Sequence, residues 1–82
     1  MIGDFSFKHA SRSRPALGLS VAKYYGNSVD RNLFKRRCRA LFKSVFISRG
    51  AAVALIVRPN KQNISFIDMN AAFGRLYEKI YT

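Results

Sequence analysis

The sequence is poor in acidic residues. Against fifteen Lys and Arg it has four Asp and Glu, which leaves a formal charge of +11. No two of these carboxylates lie within one helical turn of each other, so the pairs and triads that perform acid–base or nucleophilic catalysis are missing. The polypeptide is therefore predicted to have no hydrolytic chemistry of its own. A polyanionic partner would relieve its self-repulsion.

Cysteine and long apolar runs are also scarce. Cys38 is the one cysteine, which excludes an internal disulfide and a cysteine-based zinc site. The longest apolar run, AAVALIV (Ala51–Val57), is far shorter than the roughly 20 residues that span a bilayer. The opening stretch has no apolar core of a secretory signal. We therefore expect a cytoplasmic protein that binds no metal or cofactor by itself.

Alternation of apolar and polar residues predicts the first half of the fold. DFSFKH and ALGLSVAK each place apolar residues on one side at a period of two, which is typical of half-buried strands. The short polar turn between them predicts an antiparallel hairpin. Asn27 or Ser28 is then a candidate cap for a helix over Val29–Ser48.

The second half of the chain predicts one more strand and one more helix. Ala51–Val57 is short, partly β-branched and apolar throughout, which predicts a central strand buried on both faces. Apolar residues at helical spacing predict a terminal helix over Phe66–Ile80. The order β-β-α-β-α indicates one α/β layer structure.

The first predicted helix carries an unusual row of charges. No Asp or Glu occurs between Arg31 and Ile67 to pair with its cations. A solvated cationic face is the alternative, but the long row without counter-charges favours a surface that binds a polyanion. Beside an apolar seam of Phe34, Cys38, Leu41 and Val45 runs a cationic stripe of Arg31, Lys35, Arg39 and Lys43, with Asn32 and Arg36 beyond it.

The segment LGLSVAKYYGNSVDRNLFKRRCRALF resembles the signature of the bacterial ribonuclease P protein subunit. In that family a strand leads through Lys-Lys-x-Gly-Asn-Ala-Val into a helix that carries Arg-Asn-Arg-x-x-Lys-Arg-x-x-Arg. Three positions depart from the pattern, because Tyr24 replaces Lys, Leu33 replaces Arg and Ala40 replaces Glu. The likeness extends over residues 17–80. The matching residues are Lys23, Gly26, Asn27, Val29, Arg31, Asn32, Lys35, Arg36 and Arg39.

The resemblance implies an α+β two-layer sandwich with a small mixed sheet. Its long basic helix would join two parallel strands by a left-handed βαβ crossover, an exception to the usual handedness. The implied partner is a catalytic RNA that, with Mg²⁺, removes the 5′ leader from precursor tRNA. The protein would help to bind the leader in a cleft between helix and sheet. Residues 1–82 are expected to form one RNA-binding domain without the N-terminal helix and first strand usual in the family.

The candidate site residues fall into two groups, cations with neighbouring amides and aromatic rings. Core packing is the stronger alternative for the two rings on the first strand. Contacts to RNA are expected from Lys23, Asn27, Arg31, Asn32, Lys35, Arg36, Arg39 and Lys43. The candidates for stacking on bases are Tyr24 and Tyr25 at the entrance of the helix, and Phe5 and Phe7 on the first strand.

Two other functions compete with this hypothesis. One is a general nucleic-acid-binding module, similar to a ribosomal protein, without a role in processing. A helix-turn-helix reader of DNA would need a second helix beside the basic one, where the sequence predicts a strand, so no DNA target is expected. The other is a helix on a membrane surface, which would need a free apolar seam, whereas the predicted strands cover it.

Overall fold

The computed structural model describes residues 2–81, and of Tyr24 only the backbone. The predicted order β-β-α-β-α is confirmed. Helix α1 ends three residues earlier than predicted, and a turn of 3-10 helix follows it. The elements are β1 (Phe5–Ser11), β2 (Ala16–Leu19), a 3-10 turn (Lys23–Tyr25), α1 (Ser28–Val45), a 3-10 turn (Ile47–Arg49), β3 (Val53–Pro59) and α2 (Phe66–Tyr81).

The three strands form one mixed sheet in the order β1-β3-β2. β1 is antiparallel to β3, and β2 is parallel to it. The predicted hairpin is therefore wrong: β1 and β2 run in opposite directions, but β3 lies between them. The most apolar strand takes the centre, where both of its backbone edges are paired, while the shorter or more polar strands take the edges. Helix α1 joins the parallel pair, and the handedness of this crossover stays an expectation.

Both helices contribute to a core on one face of the sheet, here called the inner face. Along β3, Val53, Leu55 and Val57 are at most 2% exposed. The residues between them point to the outer face, where Ile56 is 50% exposed. The prediction that this strand is buried on both faces is therefore wrong. Within residues 2–81 no second layer covers the outer face, so alternate side chains of an apolar strand stay open to solvent.

A cluster of aromatic rings joins the sheet to both helices. Phe5 of β1 is 1% exposed and stacks on Phe34 of α1, with ring centroids 6.0 Å apart. Phe73 of α2 meets Phe5 edge-on at 6.3 Å and Phe7 at 5.5 Å. These offset and edge-on contacts are the geometries that aromatic pairs prefer. Because Phe5 is enclosed in this cluster, its candidate role in base stacking is wrong, and the alternative of core packing is confirmed.

Cys38 lies at the centre of the face of α1 that packs on the sheet. Its side chain is 0% exposed, and burial raises the pKa of the thiol to about 12. The reactive thiolate is therefore almost absent at neutral pH. The structure confirms that this residue is a packing element of the core.

Candidate RNA-binding surface

The entrance of α1 is fixed by its cap. The Oδ1 atom of Asn27 accepts a hydrogen bond from the backbone N–H of Asp30 at 2.9 Å. A Cβ atom at Gly26 would lie 2.7 Å from Oδ2 and 2.8 Å from Cβ of Asp30, so a larger residue would displace the first turn. The oxygen of Asn27 thus stabilises the helix. Its side-chain NH₂ group is the part left for the predicted contact with RNA.

The cationic stripe lies along the flank of α1 that faces β2. Arg31 and Lys35 are half-buried. Five other predicted contacts are exposed, namely Lys23, Asn32, Arg36, Arg39 and Lys43. The guanidinium of Arg31 lies 3.5 Å from Oγ of Ser28. In the part of the chain that the structure describes, no carboxylate forms an ion pair with these cations. The stripe is therefore a row of positive charge without local neutralisation.

Two cations of the stripe and two apolar residues of the edge strand line one groove. Lys35 and Arg39 project from α1 on one side, and Leu17 and Leu19 of β2 form the other side. The groove has a volume of about 380 Å³ and is open to solvent. Cations can bind phosphates here while half-buried leucines contact sugars or base faces. This helix–strand groove lies between helix and sheet, where the resemblance implies a cleft for the leader, and that role stays a prediction.

The outer face of the sheet carries a second positively charged cavity, which sequence reasoning missed. Lys8 of β1 and Arg58 of β3 flank the exposed Ile56. The alternation along β3 was the signal, because Ile56 and Arg58 occupy the positions between buried residues. The cavity has a volume of about 360 Å³ and is lined by Ser6, Lys8, Ser20, Ile56, Arg58 and Asn60.

Tyr25 is not available for stacking on a base. Its ring is 7% exposed and packs on Phe34 with centroids 4.8 Å apart. Burial raises the pKa of its hydroxyl, and a hydrogen bond with the backbone of Ile64 partly opposes this shift. The stacking role predicted for Tyr25 is therefore wrong, because the ring closes the core below the helix entrance. Tyr24's side chain lies outside the described residues, and the role of half-buried Phe7 stays a prediction.

Arg37 is a helix cation that the predicted site did not include. It lies on the flank of α1 opposite the stripe, and its guanidinium stands 5.9 Å from the centroid of the Phe66 ring of α2. This distance is at the outer limit of a cation–π contact. The cations of α1 thus lie on two different flanks of the helix, because Arg37 faces the second helix while the stripe faces β2.

Comparison with known proteins identifies the family. A sequence profile described as Ribonuclease P matches residues 5–81. The chain belongs to the ribonuclease P protein family. The match begins earlier than the resemblance noted over residues 17–80 and includes β1.

Relatives within the family differ in length from this chain. The ribonuclease P protein component of Phytoplasma australiense is 33% identical over 64 residues, which cover 76% of this chain and 56% of that protein. The component from Helicobacter pylori strain Shi470 is 43% identical over 65 residues, covering 78% of this chain and 40% of that protein. The chain thus spans about half the length of the curated relatives it matches.

Solved structures of the family share the fold. The RNase P protein of Staphylococcus aureus superimposes with a TM-score of 0.72 at 25% sequence identity, covering 95% of this chain and 74% of that one. A mutant of the same protein gives a TM-score of 0.73 at 24% identity, with 94% of this chain and 69% of that one covered. The mixed sheet with two helices on one face is therefore the family architecture.

No helix within residues 2–81 is long and apolar enough to cross a membrane. These residues also contain no group of three or more His, Cys, Asp or Glu side chains that could hold a metal ion.

Proposed function

We propose that this chain acts as the protein subunit of ribonuclease P in the cytoplasm. In this role it binds the catalytic RNA and the 5′ leader of precursor tRNA, and it assists the Mg²⁺-dependent removal of that leader. The active site and its Mg²⁺ ions belong to the RNA. The polypeptide alone is not a nuclease.

The observation that carries this proposal is the unneutralised stripe beside the helix–strand groove. Lys35 and Arg39 reach the groove from the helix, and no described carboxylate is paired with them. A single strand in the groove would place phosphates against these cations, and each contact would release counterions into solution. Neutralising RNA phosphates in this way lowers the concentration of Mg²⁺ needed to bring leader and catalytic RNA together.

The remaining predicted contacts extend the same surface along α1. Asn32 and Arg36 lie beyond the stripe, on the side of α1 away from β2, and are exposed. Their side chains can therefore contact the catalytic RNA on that side of the helix. Lys8 and Arg58, which were not among the predicted contacts, add a separate region of positive charge on the outer face of the sheet. The helix would thus contact the catalytic RNA while the groove holds the leader.

The test is cleavage of precursor tRNA by the catalytic RNA from the same source at low Mg²⁺ concentration, with and without this protein. We expect correct 5′ cleavage to be restored by the protein and the protein alone to cleave nothing. Salt-dependent RNA binding without restored cleavage would contradict a processing role and leave a general RNA-binding module.

Leu33 offers a gain-of-function prediction. It stands where the family pattern has Arg and is 36% exposed on α1. Leu33→Arg should tighten binding to the catalytic RNA and increase the slope of log affinity against log salt by about one unit, because one phosphate contact is added. Filter binding over a salt series measures both quantities. Leu33→Gln is the control of similar length without charge, and an equal gain with Gln would contradict the electrostatic explanation.

A further inference from the structure

Phe66 is an apolar residue of α2 that the fold leaves partly open to solvent. Ser65 caps this helix, because its Oγ atom accepts a hydrogen bond from the N–H of Asp68 at 3.1 Å, and Phe66 is the first helical residue. Phe66 shares a helical period with Met69 and Phe73, which are 0% exposed, yet its own ring is 44% exposed. The ring therefore presents a large apolar surface beside the core.

The side chain that stands over this ring is that of Arg37 in α1. The Cζ atom of its guanidinium lies 5.9 Å from the centroid of the Phe66 ring. A second pair in the protein shows a closer contact, because Cζ of Arg49 lies 4.5 Å from the centroid of the Tyr77 ring. Groups in van der Waals contact are about 3.5–4 Å apart. The Arg37–Phe66 pair is therefore open, whereas the Arg49–Tyr77 pair is closed.

The gap in the open pair is close to the width that a flat aromatic base requires. A base held between two planar groups makes a contact of about 3.5 Å on each side, so the groups stand about 7 Å apart. Arg37 would have to move by about 1 Å, which rotation about the bonds of its long side chain allows. Among residues 2–81 no ion pair with a carboxylate holds the guanidinium in its present position.

The surroundings of the open pair combine apolar surface with positive charge. Leu33 lies one helical turn before Arg37 on the same flank of α1 and is exposed, and Ile67 beside Phe66 is 80% exposed. Aromatic rings and guanidinium planes are the groups on which proteins stack unpaired RNA bases. The pair thus offers one stacking surface for each face of a base.

Two carboxylates lie near the same ends of the helices but away from the pair. Asp68, in the first turn of α2, lies on the flank opposite Phe66, where it lines a cavity with Asp4. Asp30, in the first turn of α1, is about 10 Å from Arg37 along the helix axis. The positive charge of Arg37 is therefore not neutralised at the ring, which suits the phosphate that accompanies a base.

We propose that Arg37 and Phe66 hold one unpaired base of an RNA strand between the guanidinium and the ring. The inference rests on the proposed function, because it adds a contact for RNA on the flank of α1 opposite the stripe. The stripe binds phosphates whatever the base, whereas this site requires a base. Purines, which have the larger flat surface, should bind more tightly than pyrimidines.

A fluorescent reporter tests whether a base reaches the ring. The sequence contains no Trp, so Phe66→Trp supplies a single indole at the site. A short oligoadenylate should quench its emission, and the same sugar–phosphate chain without bases should leave the emission unchanged. Ile67→Trp places the reporter at the next residue, away from Arg37, and should be quenched less.

A second measurement separates stacking from charge. Phe66→Leu keeps an apolar side chain and removes the ring, so its affinity for oligoadenylate should fall by about tenfold. The slope of log affinity against log salt should stay that of the parent protein, because no phosphate contact is lost. Affinity for the chain without bases should also stay unchanged. Fluorescence anisotropy of labelled probes over a salt series gives these values, and far-UV circular dichroism checks the fold.

Matched substitutions in the two pairs test the part of the guanidinium. Arg37→Lys keeps the charge but removes the planar group, so the affinity for oligoadenylate should fall by about threefold. Arg49→Lys makes the same change in the closed pair and should leave the affinity at that of the parent protein. Equal losses in the two variants would contradict a site at Arg37.

Several results would overturn the proposal. Salt-dependent RNA binding without quenching of Phe66→Trp would exclude the base site while the proposed function stands, and would leave this surface to a protein partner. Absence of any RNA binding would contradict the site and the proposed function together. Equal quenching of Ile67→Trp would mean that any exposed ring stacks on bases. Equal losses of Phe66→Leu with both probes would exclude stacking as the cause.

Discussion

Lys35→Ala combined with Arg39→Ala is expected to weaken binding to the catalytic RNA by about a hundredfold at low salt. Each lost charge-assisted phosphate contact should cost about 1.4 kcal/mol, or a factor of about ten. The slope of log affinity against log salt should fall by about two units, one for each contact. The reason is the groove, where both cations stand opposite β2 without a carboxylate partner among the described residues. Titrations at several salt concentrations measure both effects.

The matched control is Arg75→Ala combined with Lys79→Ala. These two residues are exposed on α2, and their removal changes the net charge by the same amount. If RNA binds at the stripe, the control double variant should keep most of the affinity for RNA. Its slope of log affinity against log salt should stay close to that of the parent protein. Equal losses in the two double variants would mean that the overall charge of +11, and not the groove, supplies the binding.

Phe5→Ala is expected to remove a large part of the stability of the free protein. Truncating a buried aromatic residue costs about 3–5 kcal/mol. A chain of 82 residues has a total stability of roughly 4–12 kcal/mol at 0.05–0.15 kcal/mol per residue. Phe5 is 1% exposed and connects β1 to both helices through Phe34 and Phe73, so no neighbouring ring can fill its place without moving an element. Urea denaturation followed by far-UV circular dichroism gives the loss.

Ile67→Ala is the control for this substitution, because Ile67 is also a large apolar residue but is 80% exposed. Its free energy of unfolding should stay within about 0.5 kcal/mol of the parent value. Similar losses for the two variants would contradict the central place of Phe5 in the core.

The two sets of variants also differ in their response to RNA. A ligand that binds only the folded state raises stability by mass action. Phe5→Ala should therefore unfold at a higher urea concentration when RNA is added in excess, whereas the double variant of Lys35 and Arg39 should gain little from RNA because it binds weakly. One titration with RNA thus separates a variant that folds poorly from a variant that binds RNA poorly.

The local sequence was sufficient to predict the elements and the cationic stripe. A period of two marked β1 and β2, and a period close to 3.6 marked both helices, because burial of one side of an element imposes its own repeat on the residues. A short apolar run marked β3. Cations at intervals of four must share one flank of a helix, so the stripe needed no tertiary information. The motif from Lys23 to Arg39 gave the family, which the profile match over residues 5–81 confirms.

The tertiary structure decided which strands are neighbours and which side chains are accessible. The hairpin expected between β1 and β2 is absent because β3 pairs with both of them, and these pairings join residues 38 to 54 positions apart. Distant pairing also exposes Ile56 and places Lys8 beside Arg58, which no local period reveals. In the same way, the sequence around Phe5 and Tyr25 is compatible with stacking on a base, yet the helices cover both rings. Accessibility depends on which element packs above a residue, and that is a property of the whole fold.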